Sequence, residues 1–255
     1  MSGAGRPEVL ALIPARGGSK SIPRKNLLTV AGKPLIAYSI EQALASRYVT
    51  RTVVSTDDEE IAEVARAFGA EVPLMRPREF AQDHSTDLEV FRHMLTALRG
   101  RDGYTCECVV HLRPTGPVRR VERIDAAIVM LLEHPDADSL RSVTWPMQTP
   151  YKMWRVVDGY LVPLLTLEGV ADAHSRPRQT LPEVFWQNGY VDIIRPQVIL
   201  QRGSMCGERV LPFVTGEPLL ELDYPENIPA VEAALLALRR GQRHAGDDHE
   251  PRHAI

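Results

Sequence analysis

The first half of the chain alternates short apolar runs with amphipathic stretches, and no other feature constrains the fold as tightly. EVLALIP (8–14) is almost wholly apolar, the pattern of a parallel strand covered on both faces. RTVVST (51–56), AEVPLM (70–75) and CECVVHL (106–112) read as the following strands. Between them, KPLIAYSIEQALAS (33–46) sets Leu35, Ile36, Ile40, Ala43 and Leu44 at helical spacing. DDEEIAEVARAFG (57–69) opens on acidic residues that suit a helix N-terminus and stops at Gly69. STDLEVFRHMLTALRG (85–100) has Ser85 or Thr86 as a cap and a stripe of Leu88, Phe91, Leu95 and Leu98; RVERIDAAIVMLLEH (120–134) is the next helix. This order predicts an α/β fold, a three-layer sandwich with a mostly parallel sheet between helices. Ligands in such sheets bind beyond the carboxyl ends of the strands.

After SLRSVTWP (139–146) the rhythm breaks. Residues 147–182 are irregular and rich in proline and basic side chains, which predicts an inserted arm without a core of its own. EVFWQNGYVDIIRP (183–196) returns to strand-like sequence with a turn signal at Asn188–Gly189. GEPLLELDYPENIPAVEAALLALRR (216–240) reads as a strand, a turn and an amphipathic helix. Beyond Arg240 the chain is polar and aperiodic, as in a disordered tail. The expected organisation is one domain over 1–240, carrying the arm, with a tail over 241–255.

A formal net charge of −3 gives no reason to expect nucleic acid or an anionic membrane as partner, so any positive field is local. No run approaches the ~18 apolar residues of a membrane span, and MSGAGRPE lacks the apolar core of a secretion signal. Cys106, Cys108 and Cys206 make neither a disulfide framework nor a zinc site. On a strand Cys106 and Cys108 would share a face, as buried thiols in a reducing cytoplasm.

The positive charge gathers directly after the first strand, in ARGGSKSIPRKN (15–26). This loop matches neither the Walker pattern nor the dinucleotide fingerprint. It offers backbone freedom at Gly17–Gly18, hydroxyls at Ser19 and Ser21, and cations at Arg16, Lys20 and Lys25, the makings of an oligophosphate nest. Far downstream, Glu221 and Asp223 stand two apart, so on a strand their carboxylates share a face. Hard oxygens so placed suit Mg²⁺ held jointly with substrate phosphates. HLRPTGPVRR (111–120) follows the fourth strand and brings Arg113, Thr115, Arg119 and Arg120 to the same edge; Arg76 arrives there after the third.

LIPARGGSKSIPRKNL, VVSTDDEEIAEVARAFGAEV, RPREFAQDHSTD, LRPTGPVR and NGYVDI together resemble the CMP-sialic acid synthetases, or acylneuraminate cytidylyltransferases, from residue 8 to about residue 237. The resemblance implies the nucleotide-diphospho-sugar transferase type of α/β fold, with the arm making a homodimer. It implies transfer of CMP from CTP to the anomeric hydroxyl of a 2-keto-3-deoxy sugar acid, releasing pyrophosphate. By the same resemblance Arg16, Ser19, Lys20, Lys25 and Asn26 hold the nucleotide's phosphates, with Arg16, Lys20 and Lys25 stabilising the shifting charge. Arg76, Ser85 and Asp87 fall around cytosine and ribose, and Glu221 and Asp223 on the Mg²⁺ pair. Arg113, Thr115, Lys152, Arg178, Trp186 and Asn188 fall where the sugar acid is read. Three departures stand out. At the sugar turn Arg113 replaces a glutamine and Gly116 a serine; Glu221 stands where the acidic pair is commonly two aspartates, a conservative change for Mg²⁺; and Trp186 replaces an arginine seen in some members. Arg113 and Trp186 leave a legionaminic- or pseudaminic-type acid open as substrate. A guanylyltransferase or a non-catalytic nucleotide-sugar binder on the same scaffold are the other readings.

Overall fold

The computed structural model, which describes residues 6–216 and 220–247, turns the apolar runs into a six-stranded sheet. In chain order the elements are β1 (Val9–Pro14), β2 (Thr29–Val30), β3 (Lys33–Pro34), α1 (Leu35–Ala45), β4 (Arg51–Ser55), α2 (Glu59–Ala67), α3 (Asp87–Asp102), β5 (Cys108–His111), α4 (Val121–Leu132) and β6 (Ser139–Thr144). There follow β7 (Trp154–Val157), β8 (Tyr160–Pro163), β9 (Trp186–Ile194), α5 (Pro196–Leu200), β10 (Val210–Val214) and α6 (Ile228–Asp247). The sheet order is β10-β6-β9-β5-β1-β4, parallel except for β9, which runs against both β5 and β6.

Side chains alternate along β1. Val9, Ala11 and Ile13 pack with Ile36, Ile40, Ile61 and Ile128 on one face, and Leu10 and Leu12 with Phe91, Met94 and Leu98 on the other. Helices therefore cover both faces, as the alternation predicts. Because β4 and β5 flank β1 on opposite sides, the chain reverses its direction of travel across the sheet at β1. The loops after β1 and β5 diverge there and open a crevice.

Several boundaries differ from the sequence expectation. Residues 70–75 form no strand: Glu71 makes a single bridge to Val53, and Pro73, which has no N–H, stops the ladder. Asn188–Gly189 is not a hairpin turn but lies within β9 at a register shift against β6, with Gly189 at φ +66°. Residues 220–223 are not strand, and 217–219 lie outside the described residues. The strand of that region is β10, where Pro212 is tolerated because β10 is an edge. Within the arm, β7 and β8 form a hairpin through Asp158–Gly159, both at positive φ, a turn signal that the scattered prolines hid. Helix α6 passes Arg240 and runs to Asp247, since helix propagation needs backbone bonding rather than an apolar face; the rest of the expected tail, 248–255, lies outside the described residues. Cys106 precedes β5 and packs with the α3 side while Cys108 packs with the other, so the two thiols do not share a face.

The β5–β9 ladder pairs His111 with Asp192, both fully buried. Neither ring nitrogen of His111 has a hydrogen-bond partner among the described residues; Asp87 Oδ2 is 3.9 Å from Nδ1 and the Phe91 ring lies edge-on at 4.7 Å. Burial, then the charges of Arg113, Arg119 and Arg141, hold the His111 pKa well below its ordinary value, so the ring is neutral in the fold. An unfolded chain protonates this histidine below about pH 6.5, so it binds more protons than the native state and stability falls as pH drops from there. His111→Leu is expected to make the acid limb of stability, read from urea midpoints between pH 7.5 and 5, shallower by about 1.4 kcal/mol per pH unit. Parallel limbs for the two proteins would show that His111 is not the group responsible.

Candidate active site

The loop after β1 is held by its neighbours rather than free in solvent. Ala15 N–H donates to Ser55 O (2.9 Å), and Gly17 N–H to Asp57 Oδ1 (3.0 Å). A Cβ on Gly17 would stand 2.6 Å from Asp58 Oδ2, so only glycine lets the loop approach α2 so closely. Asn26 Nδ2 donates to Arg16 O (2.9 Å), pulling the two ends of the loop together. Arg24, at φ +54°, turns its guanidinium onto Asp58 and Glu60, so this cation belongs to the scaffold.

Two clefts open along the carboxyl edge. The first, about 510 Å³, brings together every residue that the resemblance assigns to the nucleotide: Arg16, Ser19, Lys20, Lys25, Asn26, Arg76, Ser85 and Asp87 all line it. Arg113 and Thr115 close its far side. The second, about 830 Å³, is lined by Arg113, Trp145, Met147, Trp186, Asn188 and Glu221, among others. Among the described residues Arg113 is the one on both walls. Its Nη1 donates to Asp192 Oδ2 (2.8 Å) and its Nη2 lies 3.6 Å from Asp87 Oδ2.

The cations of the first cleft are already oriented. Arg16 donates to Gln82 O (2.7 Å) and pairs with Asp83 Oδ1 (3.2 Å), while Lys20 pairs with the other oxygen of Asp83. Lys20, then Arg16, hold the Asp83 carboxyl below its ordinary range. Sequence reasoning passed over Asp83, although it stands in the quoted RPREFAQDHSTD. Arg76 is buried, with Nε on Ser55 Oγ (3.1 Å); burial lowers its pKa to about 10, which leaves it a cation at neutral pH. Lys25, the least exposed of the loop's ion-paired cations, donates to Asp223 Oδ1 (3.1 Å).

Glu221 and Asp223 flank Leu222, which is fully buried and whose N–H donates to Thr115 O (2.7 Å). Burial, then the charge of Asp223, raises the Glu221 pKa, while Arg113, Arg119 and Lys25 oppose the shift. Glu221 lines the second cleft and Asp223 lines neither. Two neighbouring carboxylates that repel one another are hard oxygen donors of the kind a divalent cation takes together with phosphate oxygens and water.

Other expected residues sit differently. Arg119 does not face the cleft: it is buried and donates to Ser39 Oγ (3.2 Å) and to the carbonyls of Tyr190 and Arg113. Arg120 is exposed at the N-cap of α4. Asn188 lines the second cleft, but its side chain is engaged with Thr215 Oγ1 and Tyr190 N–H. Trp186 stands 62% exposed on the rim. Lys152 and Arg178 reach neither cleft of this chain; Lys152 is exposed, and Arg178 donates to Pro146 O (2.8 Å) and lines a separate arm cleft of about 400 Å³.

Comparison with known proteins bears on the family and the fold. The cytidylyltransferase family profile matches residues 10–158. A pseudaminic acid cytidylyltransferase of Campylobacter jejuni is 46% identical over 36% of this chain and 40% of its own length. A CMP-N,N'-diacetyllegionaminic acid synthase of the same species is 31% identical over 82% of this chain and 87% of its own length. The chain thus spans less than half of the first relative and most of the second. Among solved structures, a CMP:2-keto-3-deoxy-manno-octonic acid synthetase complexed with CTP superposes with a TM-score of 0.65 at 19% identity, over 91% of this chain and 99% of that one, which speaks for the fold. With a profile match over more than half its length and a relative aligned nearly end to end, this chain belongs to the cytidylyltransferase family, in its CMP-sialic acid synthetase branch.

Proposed function

We propose that this chain is a cytidylyltransferase that joins CMP from CTP to a 2-keto-3-deoxy sugar acid of the sialic acid kind and releases pyrophosphate. The observation that carries the reading is the pair of clefts meeting at Arg113, one walled by the loop cations and the other reaching Glu221. The named relatives support it, since they act on pseudaminic and diacetyllegionaminic acids.

In this reading the first cleft takes the triphosphate against the loop amides, Arg16, Lys20 and Lys25. The anomeric oxygen of the sugar attacks the α-phosphorus in line, the bond to the bridging oxygen of pyrophosphate breaks, and the hydroxyl proton passes to solvent. The chain's contribution is alignment of the two substrates and fixed positive charge toward the leaving group. Glu221 and Asp223 would hold Mg²⁺, which when bound neutralises phosphate oxygens. Lys25, already on Asp223, ties that pair to the phosphate loop. Free thiols at Cys106, Cys108 and Cys206 support a reducing, cytoplasmic setting. Among the described residues no helix is long and apolar enough to cross a membrane.

We also propose a homodimer through the arm. Val156, Tyr160 and Leu161 on the hairpin are 71%, 77% and 64% exposed, and Met153, Trp154, Leu164 and Leu165 extend the apolar surface. Apolar area so concentrated marks a surface that a partner covers. The arm would carry Lys152 and Arg178 toward the partner's second cleft.

Pyrophosphate release measured across four nucleoside triphosphates and a panel of sugar acids is expected to show turnover with CTP and a 2-keto-3-deoxy acid. Release with GTP alone, or with no sugar acid at all, would defeat the reading. Lys20→Ala is expected to cost roughly 2–4 kcal/mol of transition-state stabilisation, seen mainly in kcat; near wild-type turnover would remove Lys20 from the mechanism. Sedimentation equilibrium should give twice the chain mass of 28.5 kDa, falling to one for Val156→Glu/Leu161→Glu. A monomeric, fully active wild type would exclude the dimer.

A further inference from the structure

The second cleft contains a single basic side chain among its described lining residues, and that side chain is Arg113. Its position is over-determined. Arg119 Nη2 (2.6 Å) and Ser39 Oγ (3.3 Å) both donate to its carbonyl, and Asp192, with no exposed side-chain surface, holds its guanidinium. Arg141 shares the same Asp192 oxygen at 3.0 Å, so one buried carboxylate faces two guanidiniums. Two further acids stand near Arg113: Asp87, farther off at 3.6 Å on the nucleotide side, and Glu221 on the wall of the same cleft, whose pKa burial and Asp223 raise.

The chemistry of the substrate says where such a charge is needed. In the ring form of a 2-keto acid, the carbon that bears the attacking hydroxyl also bears the carboxylate. When that hydroxyl meets the α-phosphorus, the carboxylate must therefore lie at the seam between the sugar cleft and the nucleotide cleft. Arg113 is the residue at that seam, whereas Arg16 and Lys25 line the nucleotide cleft alone, and Lys152 and Arg178 line neither.

Building on the activity proposed above, we infer that Arg113 binds the carboxylate of the sugar acid and thereby selects 2-keto acids over neutral sugars. A planar guanidinium with one edge fixed by Asp192 still presents donors to a carboxylate, and a charge-assisted contact of this type discriminates strongly against an uncharged isostere. The rest of the described wall of this chain, with Trp145, Met147 and Trp186, offers no second cation, and in the dimer proposed above any other would arrive from the partner's arm.

The test compares a sugar acid that the wild type accepts with its carboxamide, in full-length wild type, Arg113→Gln and Arg113→Lys. Wild type is expected to favour the acid by roughly 100-fold in kcat/KM. Arg113→Gln should lower kcat/KM for the acid by roughly that factor, leave the KM for CTP within about twofold, and bring the acid-to-amide ratio close to one. Arg113→Lys, which keeps a positive charge opposite Asp192, should retain part of the preference; if the glutamine variant fails to fold, a fall of the ratio in the lysine variant carries the same test. An active wild type whose acid preference survives in both variants overturns the role of Arg113 and leaves the activity standing. A wild type that couples CTP to no sugar acid overturns the activity, and this inference with it.

Discussion

Leu222 is the contact on which the site depends. Its side chain is fully buried beside Ile22 of the phosphate loop, Val30, Leu35 and Tyr38, and against Val231 and Leu235 of α6. Its N–H donates to Thr115 O in the loop after β5. One residue thus gathers the segments after β1 and β5 and the acidic stretch some two hundred positions downstream. Burying a leucine contributes about 2–3 kcal/mol, enough to hold Glu221 and Asp223 side by side against their mutual repulsion. Their alternation about a buried leucine does for them what a strand would have done, and Lys25 then meets Asp223 across the join.

The second organising element is electrostatic and lies deeper. Asp192 sits on the antiparallel strand β9, opposite His111 of β5, with Arg113 and Arg141 on one of its oxygens. Arg119 runs beneath the turn after β5 and holds the carbonyls of Arg113 and Tyr190. Buried charges are costly unless paired or hydrogen-bonded. Here one Asp192 oxygen takes both guanidiniums, the other has no partner among the described residues, and Arg119 is held by carbonyl and hydroxyl oxygens, which fixes the turn between the clefts. The result is a guanidinium at a fixed place on a rigid base, the condition under which a binding group discriminates well.

Much of this was legible in the chain. Unbroken apolar runs marked β1, β4 and β5, and the basic loop after β1 announced the nucleotide cleft, because open sheets bind at that edge. Local signals misled where long-range pairing decided the outcome. Asn188–Gly189 carries the chemistry of a turn, yet pairing of β9 with β5 and β6 absorbs it as a bulge. Pro73 ended a strand that the apolar pattern favoured, while Pro212 was accepted on an edge. The scaffold roles of Arg24, Arg119 and Asp192 could not be read from spacing, since each depends on partners far away in sequence. Asp83 escaped for a related reason: only the fold shows that its carboxylate rests on Arg16 and Lys20, where phosphate oxygens are expected.

That last contact makes the central claim directly measurable. A crystal structure of the protein soaked with CTP should show the triphosphate in the first cleft, against the loop amides, Arg16, Lys20 and Lys25, with the Asp83 carboxylate moved away from Lys20. A nucleotide bound elsewhere, or one whose phosphates leave the Asp83 pairings with Arg16 and Lys20 intact, would contradict the account.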